Sequence, residues 1–173
     1  GFARSCPSSK VFSFDIDPIA RRRQLELMRL NAVENLTVGK YCSHKTLSQV
    51  LDNQCLLFCD IEGFEYELLD VAAVNELKKI DILVEIHTYK SLTSLQVKQE
   101  LIARFSRSHK IAVIKAENRI TQDWMKRLKE LRNLDEVVCS QALNECRNDG
   151  REWLWMQAEG GGRQKAVGGR REA

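Results

Sequence analysis

No stretch of this 173-residue chain approaches the roughly 20 consecutive apolar residues that a bilayer-spanning helix needs. A membrane partner is therefore not expected. No secretory leader is visible, because Gly1-Phe2-Ala3-Arg4 opens without a long apolar run. The chain does not open on Met, which reads as a processed, tagged or truncated piece. Charge of one sign is scarce too. With 27 Lys and Arg against 24 Asp and Glu, the net charge is +3, too balanced for nucleic acid to be expected as the main partner. Cysteine spacing of the informative kind is absent. Cys6, Cys42, Cys55, Cys59, Cys139 and Cys146 form no C-x-x-C pair and no zinc-finger spacing with histidine. They read as free thiols of a reducing compartment, so a cytoplasmic location is expected.

What is present is a core. At 43% hydrophobic residues, global disorder is excluded and the length suits one domain. The expected division is a folded domain over 1–157 and a disordered Gly/Arg-rich tail over 158–173. That tail holds Arg163, Lys165, Arg170 and Arg171 but almost no apolar residues.

Short apolar runs alternate with longer amphipathic ones. Val11-Phe12-Ser13-Phe14 reads as a strand, followed by a helix that Asp17 caps and Pro18 opens. A second strand falls near Leu36-Thr37-Val38, and a short helix near 46–51. Cys55-Leu56-Leu57-Phe58-Cys59 is continuously apolar, as a strand buried on both faces would be. The pattern then predicts a helix over 64–77, a strand over 82–87 and a helix over 92–107. A strand over 111–114, a helix over 121–134 and a last strand over 153–156 complete it. Such alternation predicts an α/β domain with a largely parallel sheet. Ligands of such sheets sit beyond the carboxyl ends of the strands.

The strand ends carry the chemistry. Asp15 suits a ribose diol, although capping by Asp15 or Asp17 would also explain an acid there. Asp60 and Glu62 follow the buried strand, where anions need partners, and Gly63 permits a tight turn. Glu65 falls in the first helical turn, where the helix dipole alone accounts for it. Glu85 and His87 lie on one side of the next strand and can converge with Asp60 and Glu62. His87 suits a general base near neutral pH, with Glu85 or Glu62 orienting it. Four oxygen and imidazole donors are not a specific metal pattern, and no metal is assigned. His44 and His109 read as structural or solvated.

These residues resemble a known family. Val11-Phe12-Ser13-Phe14-Asp15-Ile16-Asp17-Pro18, Asn31, Asn35 and Cys59-Asp60-Ile61-Glu62-Gly63-Phe64-Glu65 are similar to the FkbM-type S-adenosylmethionine-dependent methyltransferases. So are Leu68-Leu69, Val84-Glu85-Ile86-His87, the run 104–109 and Trp153-Leu154. The resemblance implies a Rossmann-like class I methyltransferase sheet with helices on both faces and a final antiparallel strand. It also implies S-adenosylmethionine as cofactor, and O-methylation of a sugar or small-metabolite hydroxyl, so a small-molecule or glycan acceptor. Carried over, Asp15 would bind the ribose, Ile16 would pack on the adenine, Cys42 would lie near the adenine edge, and Asp60 would lie under the methionine part. The family's first strand and glycine loop would precede residue 1, so the sheet is expected to lack that strand and the 173 residues to bind cofactor poorly. A NAD-dependent oxidoreductase on a doubly wound sheet is the alternative reading, as is a non-catalytic, decayed methyltransferase fragment.

Overall fold

A computed structural model describes residues 1–115, 135, 137–138 and 152–159. Its elements alternate as the sequence pattern requires. They are α1 (Phe2–Ser5), β1 (Val11–Phe14), α2 (Pro18–Leu30), β2 (Leu36–Gly39), α3 (His44–Val50), β3 (Leu56–Cys59) and α4 (Glu65–Leu68). A 3-10 turn (Asn75–Lys79), β4 (Asp81–Glu85), α5 (Ser94–Phe105), β5 (His109–Lys115) and β6 (Glu152–Ala158) follow. The expected helix over 121–134, Cys139, Cys146 and nearly all of the expected tail lie outside the described residues.

The chain falls into two compact units. The first gathers 1–55, 67–80 and Glu159. Its strands β1 and β2 run parallel, with Val11 opposite Leu36 and Phe14 opposite Gly39. Asp17 caps α2 by accepting the Ile19 N–H at 2.8 Å, and Pro18 supplies the first helical position. Asn35 braces the N-terminal segment, its amide donating to the carbonyls of Ala3, Cys6 and Ser9 at 3.1, 2.9 and 2.8 Å. Asn31 caps the other end of α2 through the Leu27 carbonyl at 2.9 Å. Two asparagines that carried the family resemblance thus have structural work here. Leu47, Leu69, Val74, Leu77 and Ile80 are buried.

The second unit gathers 56–66 with 81–115 and 152–158 of the described residues. Its sheet has the order β3-β4-β6-β5. β3 and β4 are parallel, whereas β6 runs antiparallel between β4 and β5. The chain's last described strand is therefore interior, and Leu154 and Met156 are fully buried on it. Val97, Leu101 and Phe105 of α5 join Ile82 and Val84 of β4 in this core. A capping box between Thr93 and Gln96 starts α5.

Two expectations change. β3 is not buried on both faces: Leu56 and Phe58 are half exposed, because β3 pairs with β4 alone among the described residues. The helix expected over 64–77 is one turn, α4, followed by turns. The Asp70 carboxylate accepts the Ala72 N–H at 2.8 Å, offering the backbone a local alternative to helix. The mixed α/β class stands, and Leu69, Val74 and Leu77 are buried without the long helix. No helix among the described residues is long and apolar enough to cross a membrane.

Candidate functional site

β3 ends at Cys59, and the chain turns sharply through Asp60-Ile61-Glu62-Gly63. Glu62 and Gly63 both adopt positive φ, at 54° and 110°. Gly63 is required there twice over, since a Cβ would also lie 2.5 Å from the Thr88 carbonyl oxygen.

The turn is held by Glu65, the first residue of α4. Its carboxylate is fully buried and reaches back along the chain. Oε1 accepts the Ile61 N–H and Oε2 the Gly63 N–H, each at 2.8 Å. Oε1 also lies 2.8 Å from His87 Nδ1. Three N–H donors satisfy a charge that burial would otherwise make costly. A carboxylate on Nδ1 selects the Nδ1–H tautomer of a neutral ring, which turns the Nε2 lone pair outward.

Nε2 faces the strand-end acids. It lies 3.5 Å from Glu62 Oε2 and 3.8 Å from Asp60 Oδ1, and the His87 side chain is 11% exposed. Glu85, buried at the end of β4, pairs with Asp60. Burial pushes the Asp60 carboxyl up from the ordinary range. Repulsion and a hydrogen bond from Glu85 add to that, His87 opposes it, and Glu62 adds a little. Asp60, Glu62, Glu85 and His87 are thus brought together as their strand-end positions suggest. The acid on Nδ1 is Glu65, which the sequence pattern assigned to the helix dipole. Its one sequence signal is its place, two residues past a glycine that must turn.

Asp60, Glu65 and His87 each offer a donor atom within 4.8 Å of the others, close enough to hold a cation. Both Glu65 oxygens already serve N–H donors, so the arrangement works as a hydrogen-bond network without one.

The other expected site residues lie in the first unit. Asp15 follows β1, and its Oδ1 accepts the Asp17 N–H at 2.9 Å. Its Oδ2 takes no hydrogen bond among the described residues. Ile16 is 74% exposed, an apolar side chain left in water beside that acid. Cys42 follows β2, and burial pushes its thiol up. His44 and His109 have structural partners: His44 Nε2 lies 2.9 Å from the Glu67 carbonyl, and His109 Nδ1 lies 2.9 Å from Ser108 Oγ.

No protein-family model and no curated protein matches the sequence. Solved structures do. An rRNA methylase from Streptococcus thermophilus is similar over 86% of this chain and 73% of its own, at 11% identity and a TM-score of 0.50. A domain from Corynebacterium diphtheriae assigned as a precorrin-6Y C5,15-methyltransferase is similar over 91% of this chain and 78% of its own, at 14% identity and a TM-score of 0.50. The likeness shows the fold, the Rossmann-like α/β fold that these methyltransferases share.

One expectation is overturned by the same comparison. The exclusion of nucleic acid, in favour of a small-molecule or glycan acceptor, does not stand, because a protein of this fold is an rRNA methylase. A +3 net charge does not exclude such a partner. Nucleic-acid recognition depends on where a few cations and ring faces sit, and a chain-wide sum averages that away.

Proposed function

We propose that this chain is an S-adenosylmethionine-dependent methyltransferase domain of the FkbM type, with RNA as the first acceptor to test. The observation that carries the reading is the buried Glu65–His87 pair at the carboxyl ends of β3 and β4, on a fold that methyltransferases use. Bound S-adenosylmethionine would supply a methyl group activated by a sulfonium. The first unit offers residues that fit its nucleoside. Asp15 has an oxygen to spare for a ribose diol, exposed Ile16 suits a purine face, and Cys42 suits its edge.

Within the second unit, the acid–histidine network offers acceptor chemistry of its own. His87 takes the acceptor's proton at Nε2. Glu65, bonded to Nδ1, holds the ring in the productive tautomer and stabilises the imidazolium that forms. Glu62 and Asp60, both facing Nε2, align the acceptor. Glu85 holds Asp60 through a side-chain hydrogen bond.

The test is transfer of a tritiated methyl group from S-adenosylmethionine to total RNA by the protein. His87→Ala is expected to lower the rate about 10²–10⁴-fold, the usual contribution of a general base. Transfer that His87→Ala leaves unchanged would remove His87 as the base. Failure to methylate RNA by protein that calorimetry shows to bind S-adenosylmethionine would remove RNA as the acceptor.

A further inference from the structure

An aromatic cluster with two cations continues from the acid–histidine network within the second unit. Phe64 stands between Gly63 and Glu65, and its ring is 57% exposed. Tyr89, two residues past His87, meets Phe64 edge-on with ring centroids 6.2 Å apart. Tyr66 stacks on Tyr89 at 5.1 Å. The Lys90 ammonium lies 4.6 Å from the Tyr89 ring centre, and the Arg104 guanidinium lies 4.9 Å from that of Tyr66. One exposed aromatic needs no explanation, but three rings interleaved with two cations do.

The cluster is also rigidly built. Tyr89 and Leu92 exchange backbone hydrogen bonds at 3.1 and 2.8 Å, closing a tight turn. Lys90 sits at its tip with φ of 51°, a conformation a non-glycine residue adopts only when its surroundings enforce it. Arg104 is fixed by donating to the Tyr66 carbonyl at 2.8 Å. Tyr66 and Tyr89 face each other and the cations, so Phe64 is the ring that presents its surface to solvent.

We propose that Phe64 is a stacking platform for an amino-bearing nucleobase (adenine, cytosine or guanine, not uracil) of single-stranded RNA, with Lys90 and Arg104 taking the flanking phosphates. A ring face, neighbouring carboxylates and outlying cations match the three parts of a nucleotide. Every base has a π-face to stack. Glu62 and Asp60, in the same turn as Phe64, accept hydrogen bonds from an exocyclic amino group, as carboxylates do from cytosine N4. Uracil has no amino group to offer them. The two carboxylates repel phosphate, which confines the backbone to the Lys90 and Arg104 side. What happens to the bound base rests on the methyl-transfer reading, but the binding itself does not.

The test is fluorescence anisotropy with fluorescein-labelled ten-nucleotide oligo-A, oligo-C and oligo-U, without cofactor, at low and moderate salt. Oligo-A and oligo-C are expected to bind on the order of tenfold more tightly than oligo-U. Phe64→Ala is expected to weaken binding about 5–150-fold, the range of one lost stack, and Phe64→Trp to restore it. Lys90→Gln should weaken all three oligonucleotides alike and lower the salt slope by about one. Glu62→Ala should narrow the preference over oligo-U, and Glu62→Ala with Asp60→Ala should erase it. Absence of binding at low salt, binding indifferent to Phe64→Ala, or preference for an arginine-rich peptide over RNA would overturn the proposal. RNA binding with these signatures but no methyl transfer to that RNA would leave the platform standing and remove RNA as the methyl acceptor.

Discussion

Glu65→Gln isolates what one buried carboxylate does. The substitution keeps shape and volume, so it opens no cavity. It changes the number of acceptors facing three N–H groups, those of Ile61, Gly63 and His87 Nδ1, each 2.8 Å from a carboxylate oxygen. Glutamine has one oxygen. With that oxygen in the Oε1 place, it keeps Ile61 and His87 but turns its own NH2 against the Gly63 N–H. Flipped, it keeps Gly63 and orphans the other two. The milder arrangement leaves one buried donor unmet, at about 1–3 kcal/mol, and weakens two charge-assisted bonds to neutral ones. The expected total is a loss of about 2–4 kcal/mol. For a chain of this length each kcal/mol lowers Tm by about 2–4 °C. Glu65→Ala orphans all three donors and should cost more. Thermal melts followed by circular dichroism read both variants. If Glu65→Gln melts within a degree of the parent, or Glu65→Ala is no worse than Glu65→Gln, acceptor count is not what holds the turn.

Three further outcomes are expected. Gly63→Ala forces a positive-φ alanine whose Cβ would lie 2.5 Å from the Thr88 oxygen, so a loss of about 1–3 kcal/mol should appear as an earlier melt, and an unshifted melt would count against the turn geometry. Asp60 binds its proton more tightly folded than unfolded, so its contribution makes stability fall as pH rises from the ordinary carboxylate range to its raised value. In Asp60→Asn that slope should vanish, with higher stability than the parent above the window; urea midpoints across pH that keep the parent's slope would refute the assignment. Leu154→Ala removes a fully buried side chain opposite Val84 and Val113 and should cost about 2–5 kcal/mol in urea unfolding, with a cost under 1 kcal/mol arguing against an interior β6.

Much of the fold is legible without coordinates, for local reasons. Asp17-Pro18 starts α2 because an acid caps and a proline is pre-set for the first turn. Val97, Leu101 and Phe105 announce α5 by their helical spacing. The helix that fails, over 64–77, fails at Asp70, where a side chain takes a backbone N–H that a helix would have bonded along the chain. β3 misleads differently. Its unbroken apolarity signals burial on both faces, but how many strands flank it is not written in its own residues.

The candidate site divides in the same way. Asp60, Glu62, Glu85 and His87 were visible because strand ends of α/β sheets collect chemistry, and parallel pairing of β3 with β4 brings two such ends side by side. Glu65 was not visible as their anchor, because its three donors come from residues 61, 63 and 87, and the last is remote in sequence. The aromatic cluster was hidden for the same reason: Phe64 and Tyr66 meet Tyr89 only when β4 lies beside β3.

The sequence by itself determined most of the element types, the cap of α2, the turn at Gly63 and the acids at the strand ends, since each depends on neighbours within a few positions. Only the tertiary structure decided which acid holds His87, which strand lies inside the sheet and which rings surround the site. Those depend on contacts between residues tens of positions apart, and hydrogen bonds and ring contacts form only where the backbone brings the groups within a few ångströms.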